Sequence, residues 1–533
     1  MTRVASETSI TPKRAGLVLT ALILAAIVAN LNLSVANVAL PDIGKAFATG
    51  QTQLNLVAIG CTLGLAMSVL YLGALGDRYG RKRMLLLGMF LTLPASAISA
   101  WAPTAEVLIG GRIFTGIAAG LAYPTTLALI TALWGPGRAR VRAIALWSGL
   151  SGGGAIIGPV IAGALLESFW WGGVFLIAVP PAIVAFILVL AVVPGHVNES
   201  TKPVDNLSGV MSVVMIGTLV LGISTIAAPG AAGIALGLIG VAIVVGALFI
   251  VRQGRVANPL YDLVYARRTI FWVAAVSGMI IFGSMMGSLF IGQQFMQNVL
   301  DYSTFEAGIA VIPMAVFMIV FSPISGRLIL SIGSRSTLLL GFASVIPGFI
   351  VMLVAWREGT AYWVVGLAYA LVGIGAGLAL TPASRALTSS VPVKRVGMAS
   401  ATTDLQRDLG GAVMQAFLGS LLTAGYAASL IRSIGASSEA QSISQQTEAA
   451  LSLSYSSAVA QATQYPQYSS EIIEAARQAF LSGANWAYLA AIVVSLVGAL
   501  LVWKFYPGKQ DEINLLGQYA EADAKVSDES ANN

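Results

Sequence analysis

The sequence predicts an all-α integral membrane protein of about fourteen transmembrane helices. Three observations carry this expectation. Hydrophobic residues make up 57% of the 533 positions and charged residues 10%, whereas a soluble domain carries roughly 25% charge. The mean hydropathy is +0.84, so the solvent is lipid. Apolar runs of about 20 residues, enough to cross roughly 30 Å of hydrocarbon, recur along the chain.

Residues 1–14 read as a cytoplasmic N-terminal segment. Lys13 and Arg14 precede the first apolar run at 15–38, which is too long for a signal peptide and is interrupted by Asn30, Asn32 and Asn37, so it reads as a retained span. The next runs fall at 52–75, 84–102, 105–129, 143–166 and 172–193. A polar loop at 195–206 leads to runs at 207–228 and 231–251, and a linker at 252–269 leads to runs at 270–295, 305–328, 337–355, 361–388, 398–428 and 484–505. An even number of spans places both termini on one side. Between the last two lies a stretch, about 429–483, rich in Ser, Ala and Gln, with Glu439, Glu448, Glu471 and Glu474; it reads as a long external loop, either a tether or a lid, with helical spacing over Glu471 to Arg477 that suits the outer membrane surface. Residues 506–533 read as a polar, mobile tail.

Charge gives orientation. Most of the 29 Lys and Arg fall on the side of the termini, among them Arg81, Arg138, Arg140, Arg142, Arg267, Arg268, Lys394 and Arg395, which marks that side as cytoplasmic. The net charge of +6 does not point to nucleic acid, because the bases stand at span ends without interleaved aromatics. Cys61 is the lone cysteine and His196 the lone histidine; neither a disulfide framework nor a clustered metal site is available. No cofactor and no metal are expected. Constellations of His-Glu, Ser-His or Cys-His type and Gly-Lys-Ser/Thr phosphate loops are missing too, which argues against a membrane-embedded enzyme.

The run Gly73-Ala74-Leu75-Gly76-Asp77-Arg78-Tyr79-Gly80-Arg81-Lys82-Arg83 sets one acid, four bases and three glycines between two apolar spans. It makes a poor core and a good hinge, with a carboxylate left to pair with a neighbour. Arg112 lies well inside the fourth apolar run, where a charge costs at least ~2.5–3.5 kcal/mol, so it is expected to face a polar cavity or a partner. Gly154 and Gly158 share one helix face and admit a neighbouring helix, while Pro159 weakens the backbone ladder beside them. That suits a helix that bends or slides, and it suits plain packing as well. In the thirteenth run Asp404, Arg407 and Asp408 share one face. Two carboxylates around one guanidinium titrate as a coupled group suited to taking up a proton. They also suit a cytoplasmic latch docking on the Asp77 to Arg81 loop, and of the two the latch is placed first.

These residues carry a resemblance across nearly the whole chain. The Gly73 to Lys82 run resembles the Gly-x-x-x-Asp-Arg-x-Gly-Arg-Lys loop of the major facilitator superfamily. Arg112 with Gly116 and Gly120 resembles that superfamily's embedded-arginine motif, and Gly154 to Gly163 its antiporter Gly-Pro motif. Asn37-Val38-Ala39-Leu40-Pro41 is similar to the end of the first span in the fourteen-span drug:proton antiporters. The resemblance implies two six-helix bundles, at 15–194 and 270–505, with 207–251 inserted as a peripheral pair. It implies a midplane cavity between the bundles, for which Asn30, Asn32, Asn37, Tyr71, Tyr123, Trp147, Met286, Gln293, Gln294 and Gln297 are the candidate lining.

Gly73, Asp77, Arg78, Gly80, Arg81, Gly154, Gly158 and Pro159 are then the candidate conformational switch, and Arg112, Asp404, Arg407 and Asp408 the candidate proton-coupling or embedded charges. Three positions depart from the pattern. Asn32 stands where the branch usually has an aspartate, and an amide does not titrate. Leu330 replaces the acid in a second, degraded copy of the loop motif at Gly326 to Gly333, and Trp171-Gly172-Gly173 replaces a usual Trp-Arg-Trp. The implied function is alternating-access export of amphiphilic compounds by a monomer in the plasma membrane, coupled to protons. Export of a lipid or lipid-like metabolite with weak or no proton coupling, and a membrane receptor or scaffold, stand as alternatives.

Overall fold

Helix follows helix from α1 to α20, with no strand among the described residues. The structure is a computed structural model that describes residues 12–135, 138–195, 203–256, 258–392, 396–436 and 444–532. His196, Lys394, Arg395 and Glu439 lie outside them. The first half comprises α1 (Ala15–Phe47), α2 (Gln51–Tyr79), α3 (Arg81–Ala100), α4 (Ala105–Leu133), α5 (Arg138–Leu166), α6 (Gly173–Leu176) and α7 (Val179–Val192). An inserted pair, α8 (Asn206–Thr225) and α9 (Ala232–Gln253), and a short α10 (Leu263–Ala266) lead to the second half. That half comprises α11 (Thr269–Asn298), α12 (Thr304–Ile309), α13 (Ile312–Ile332), α14 (Ser334–Ala355), α15 (Tyr362–Ser389), α16 (Val396–Ala436), α17 (Gln445–Leu453), α18 (Tyr455–Gln464) and α19 (Ser469–Phe505), followed by α20 (Lys509–Asn532).

Thirteen segments among the described residues are long and apolar enough to cross a membrane. α6 with α7 and α12 with α13 each count as one of these, and the 29-residue α5 is not among them.

The halves repeat one packing plan. α2 and α3 pack on α4, and α1 on α5; in the same order α13 and α14 pack on α15, and α11 on α16. Local chemistry repeats as well. α2 passes to α3 through Gly80 at φ 108°, and α13 passes to α14 through Gly333 at φ 89°, a backbone region open to glycine and strained for a side chain. Pro94 of α3 and Pro347 of α14 stand the same distance beyond these glycines.

The inserted pair is not wholly peripheral. α8 wedges between α2 and α16, where Tyr71 packs so closely on Gly209 that no side chain fits there. The Tyr71 hydroxyl donates to Asn206 Oδ1 at 3.2 Å, and Ser420 donates to the Ile223 carbonyl. α9 instead exposes Ile234, Leu236, Ile243, Val244 and Leu248, an apolar face suited to lipid. At the start of α8 Asp205 accepts from Ser208 and pairs with Arg252 at 2.8 Å. Burial works to raise its carboxyl, and the hydrogen bonds from Arg252 and Ser208 outweigh it, holding Asp205 below its ordinary value.

Two expectations are corrected. The long loop at 429–483 is largely helical: α16 runs on to Ala436, α19 begins at Ser469, and α17 and α18 form a hairpin over that end of the bundle. The hairpin is packed: the Tyr426 hydroxyl donates to the Leu451 carbonyl at 3.0 Å and Ser454 to the Thr49 carbonyl at 2.8 Å. The tail beyond Gly508, expected to be mobile, is the helix α20 docked on the second half. Leu515, Leu516 and Tyr519 face its core.

Candidate functional site

Where the halves face one another, α1, α2 and α4 meet α11, α13, α15 and α16 around a narrow cavity of about 60 Å³. Its wall is formed by Ala29, Asn30, Leu33, Ser34, Leu65, Tyr123, Phe282, Met285, Met286, Met318 and Leu380, and by the charged set Asp404, Arg407 and Asp408. At 10–15 Å³ per water this space admits a few waters and no bulky cargo. Three methionines and two aromatic rings stand on the wall among four aliphatic side chains, a surface that adapts to varied apolar shapes.

The charged set sits on one face of α16 because the residues are three and four apart. Asp404 and Asp408 are each only 6% exposed, and the Arg407 guanidinium lies 5.4 Å from the centre of the Phe282 ring. Asp408 Oδ2 is buried with no hydrogen-bond partner among the described residues. A carboxyl oxygen in that position is a site for a proton or for a cation. In this structure the cluster is not docked on the Asp77 to Arg81 loop. The cluster lies beside Asn30 and Tyr123 in the cavity, while Asp77 is held by its own neighbour, with Arg81 Nη2 at 2.8 Å and Nε at 3.0 Å from Oδ1.

That pair belongs to the turn between α2 and α3. Arg81 also donates to the Ala128 carbonyl of α4 at 3.1 Å, and Lys82 caps the end of α7 through the Leu190 and Val193 carbonyls at 3.0 and 2.6 Å. Gly73 is half-buried in α2, and Asp77 and Arg78 are exposed. Gly158 is buried against Ser34, and the Pro159 carbonyl lies against Gly308. Gly154 falls within 152–157, whose surroundings are outside the described residues.

Arg112 is fully buried. Its Nε donates to the Val57 carbonyl at 3.4 Å, its guanidinium lies 5.3 Å from the Phe175 ring centre, and Nη1 and Nη2 have no partner among the described residues. It is away from the cavity wall, between α2, α4 and α6.

Of the ten candidate lining residues, Asn30, Tyr123 and Met286 are on the wall. The other seven are corrected. Trp147 stands behind Tyr123, ring centres 5.6 Å apart, and donates to Thr126. Asn32 is buried and donates to the Val28 carbonyl, Asn37 is buried, and Tyr71 faces α8. Gln293 donates to the Ala307 carbonyl. Gln294 and Gln297 join the halves at one end. Phe282, Met285, Met318 and Leu380 were missed; apolar side chains on all-round apolar helices give no signal of which face meets a cavity.

The hydrogen bonds that join the halves gather where α1 turns into α2. Gln51 donates to Gln294 at 2.9 Å, Asn55 to Thr423 at 3.2 Å, Gln297 to the Val38 carbonyl at 2.9 Å and Thr304 to the Gly163 carbonyl at 3.1 Å. That end is closed. Just outside it lies a second, more polar pocket that includes Asp42, Lys45, Asp301 and Arg477.

The family model described as Major Facilitator Superfamily matches residues 22–415. The chain is 32% identical over 502 residues to the multidrug efflux pump LfrA of Mycolicibacterium smegmatis, covering 93% of this chain and 97% of that protein. It is 31% identical over 494 residues to the methyl viologen resistance protein SmvA of Salmonella typhimurium, covering 92% and 96%. Among solved structures, a bacterial homolog of the human lysosomal transporter Spinster, inward-facing and unoccupied, aligns with a TM-score of 0.64 at 15% identity over 93% of this chain and 97% of that one. A D-xylose–proton symporter aligns with a TM-score of 0.59 at 14% identity, covering 93% and 99%. These two show the shared fold.

Proposed function

We propose, from the premise that the chain belongs to the Major Facilitator Superfamily, that it exports amphiphilic organic cations from the cell by alternating access, in exchange for protons. The chain is a multi-pass membrane transporter and not an enzyme. The cavity carries the reading: two buried acids and one base on a wall otherwise built of methionine, aromatic and aliphatic side chains with Asn30 and Ser34. Such a wall accepts a greasy body, and its acids accept either a positive charge or a proton. Competition between the two for one pair of carboxyls is the simplest exchange device. The lack of an acid at Asn32 counts little against a cationic cargo, because the counter-charge comes from α16 across the cavity.

In this reading the termini are cytoplasmic, α5 completes a set of fourteen spans, the monomer is the working unit, and the closed end where α1 meets α2 faces outward. The structure then corresponds to a state closed to the outside. In this reading the halves rock about the midplane, along a seam where Ile59, Leu63 and Ala66 of α2 pack on Ala412 and Ala416 of α16.

Purified protein in proteoliposomes with an imposed pH gradient tests this, with an organic cation and a fluorescent lipid offered in parallel. Gradient-driven movement of the cation is expected. Movement of the lipid alone, unaffected by pH, would select the lipid-export alternative.

The turn between α2 and α3 yields an expectation of its own. Asp77→Asn weakens the pair with Arg81 that fixes the Arg81 contact to Ala128. Export is expected to fall at least about tenfold with membrane insertion unchanged, since the exposed pair matters little for folding. Unaltered export would remove the turn from the mechanism.

A further inference from the structure

We propose that α20 is part of the second half's switch: Lys509 and Glu512 supply, from the C-terminal helix, the base and the acid that the turn between α13 and α14 lacks at the positions matching Arg81 and Asp77. The inference rests on the alternating-access reading and goes beyond it. In the first half the turn is held by its own residues, Asp77 and Arg81. In the second half Leu330 stands in the place of Asp77 and Ser334 in the place of Arg81, so neither of those positions is charged; the turn's own base, Arg335, stands in the place of Lys82 and donates to the Trp503 carbonyl.

The tail fills both roles. Lys509 Nζ donates to the Leu330 carbonyl at 2.8 Å and to the Ser331 carbonyl at 3.1 Å. These are among the orphan carbonyls at the end of α13, where a cation is favoured. Glu512 Oε1 accepts from Ser334 Oγ at 2.7 Å and from the Tyr506 hydroxyl at 3.2 Å. Glu512 is 8% exposed although it belongs to a polar helix, so its docking is specific. Gly333 makes room for it: a Cβ there would lie 2.8 Å from Lys509 Cβ. Lys509 is thus allowed to reach the carbonyls only because the turn residue has no side chain.

The same helix reaches two further connections. Asp523 pairs with Arg268, which precedes α11. The Arg268 guanidinium lies 4.8 Å from the Tyr265 ring centre and 4.5 Å from that of Tyr519, and it donates to the Ser390 carbonyl at the end of α15. α20 therefore ties the turn to the start of α11 and to the end of α15, next in sequence to the helix that carries Asp404 and Asp408. Lys509 and Glu512 are positioning residues: they touch no cargo and act through the turn.

The test compares three full-length proteins: the unaltered chain, Lys509→Ala with Glu512→Ala, and that double variant carrying Leu330→Asp and Ser334→Arg, which builds into the second turn the pair the first turn owns. Export of an organic cation is expected to fall about tenfold in the double variant, the effect of biasing one conformational equilibrium by that factor, and to return to within about threefold in the rescued protein. Spin labels at Tyr79 and Ile332, both exposed, report the spacing of the two turns without any cargo; the double variant is expected to shift the distance distribution and the rescue to restore it. Unchanged export and distances in the double variant would overturn the proposal. So would a loss that follows a lowered melting temperature and is not rescued, because the tail would then only stabilise the fold. If the unaltered chain moves no cation, the export reading fails, and the distances alone decide the role of the tail.

Discussion

The Asp408→Asn variant is expected still to exchange an organic cation down its gradient, more slowly because Asp404 alone then supplies the counter-charge, and to lose accumulation driven by a pH gradient. One proton exchanged per cargo molecule converts each pH unit into about a tenfold concentration ratio, and the variant should bring that ratio to about one. The expectation follows from geometry. Asp408 Oδ2 is buried on the cavity wall without a donor among the described residues, and an amide keeps the shape while removing the titrating oxygen. Asp404→Asn should reduce the ratio as well, since the two carboxyls share Arg407 and titrate as a unit. Uptake driven by protons in both single variants and in the double variant would place coupling elsewhere, Arg112 being the next buried charge.

The second large effect is expected at the closed end. Gly308 packs on the first half so tightly that a Cβ there would stand 2.5 Å from the Pro159 carbonyl, and Gly163 meets the Thr304 backbone in the same way. These contacts run between the halves, so a side chain there opposes closure rather than folding. Overpacking costs roughly 1–3 kcal/mol, enough to bias a two-state equilibrium by about fivefold to about 150-fold. Gly308→Leu should therefore hold that end apart and cut export at least about fivefold at unchanged protein level. Labels at Ala46 and Thr463, exposed on α1 and on the hairpin, should move apart in the variant. An unchanged distance with normal export would show that this end does not need to close.

How much of this was legible depended on chemistry that is rare in lipid. Charges inside apolar helices stand out, so Arg112 and the Asp404, Arg407 and Asp408 face could be picked from sequence alone. Glycines at forced turns were legible for the same reason, as Gly80 shows. The cavity wall was mostly illegible. On helices that are apolar all round no amphipathic stripe separates a face toward lipid from a face toward a cavity, and Tyr71 and Tyr123 look alike until α8 is seen covering one of them. The tail misled because its polar composition resembles a solvated segment, while its docking depends on a few side chains: Lys509, Glu512, Tyr519 and Asp523. The segment at 429–483 misled similarly, since Ser, Ala and Gln suit a loop and also suit short capped helices such as α17 and α18, each begun by a serine that accepts from the first turn.

The central claim is that cargo and proton compete for the carboxyls of one cavity, and proton release on binding tests it most directly. Purified protein in a weakly buffered solution is titrated with an organic cation while pH is recorded. About one proton should appear per cation bound, fewer as the starting pH rises and the carboxyls empty, and none in the Asp404→Asn, Asp408→Asn double variant. Saturable binding of the cation by the unaltered protein with no proton released at any pH would contradict the account.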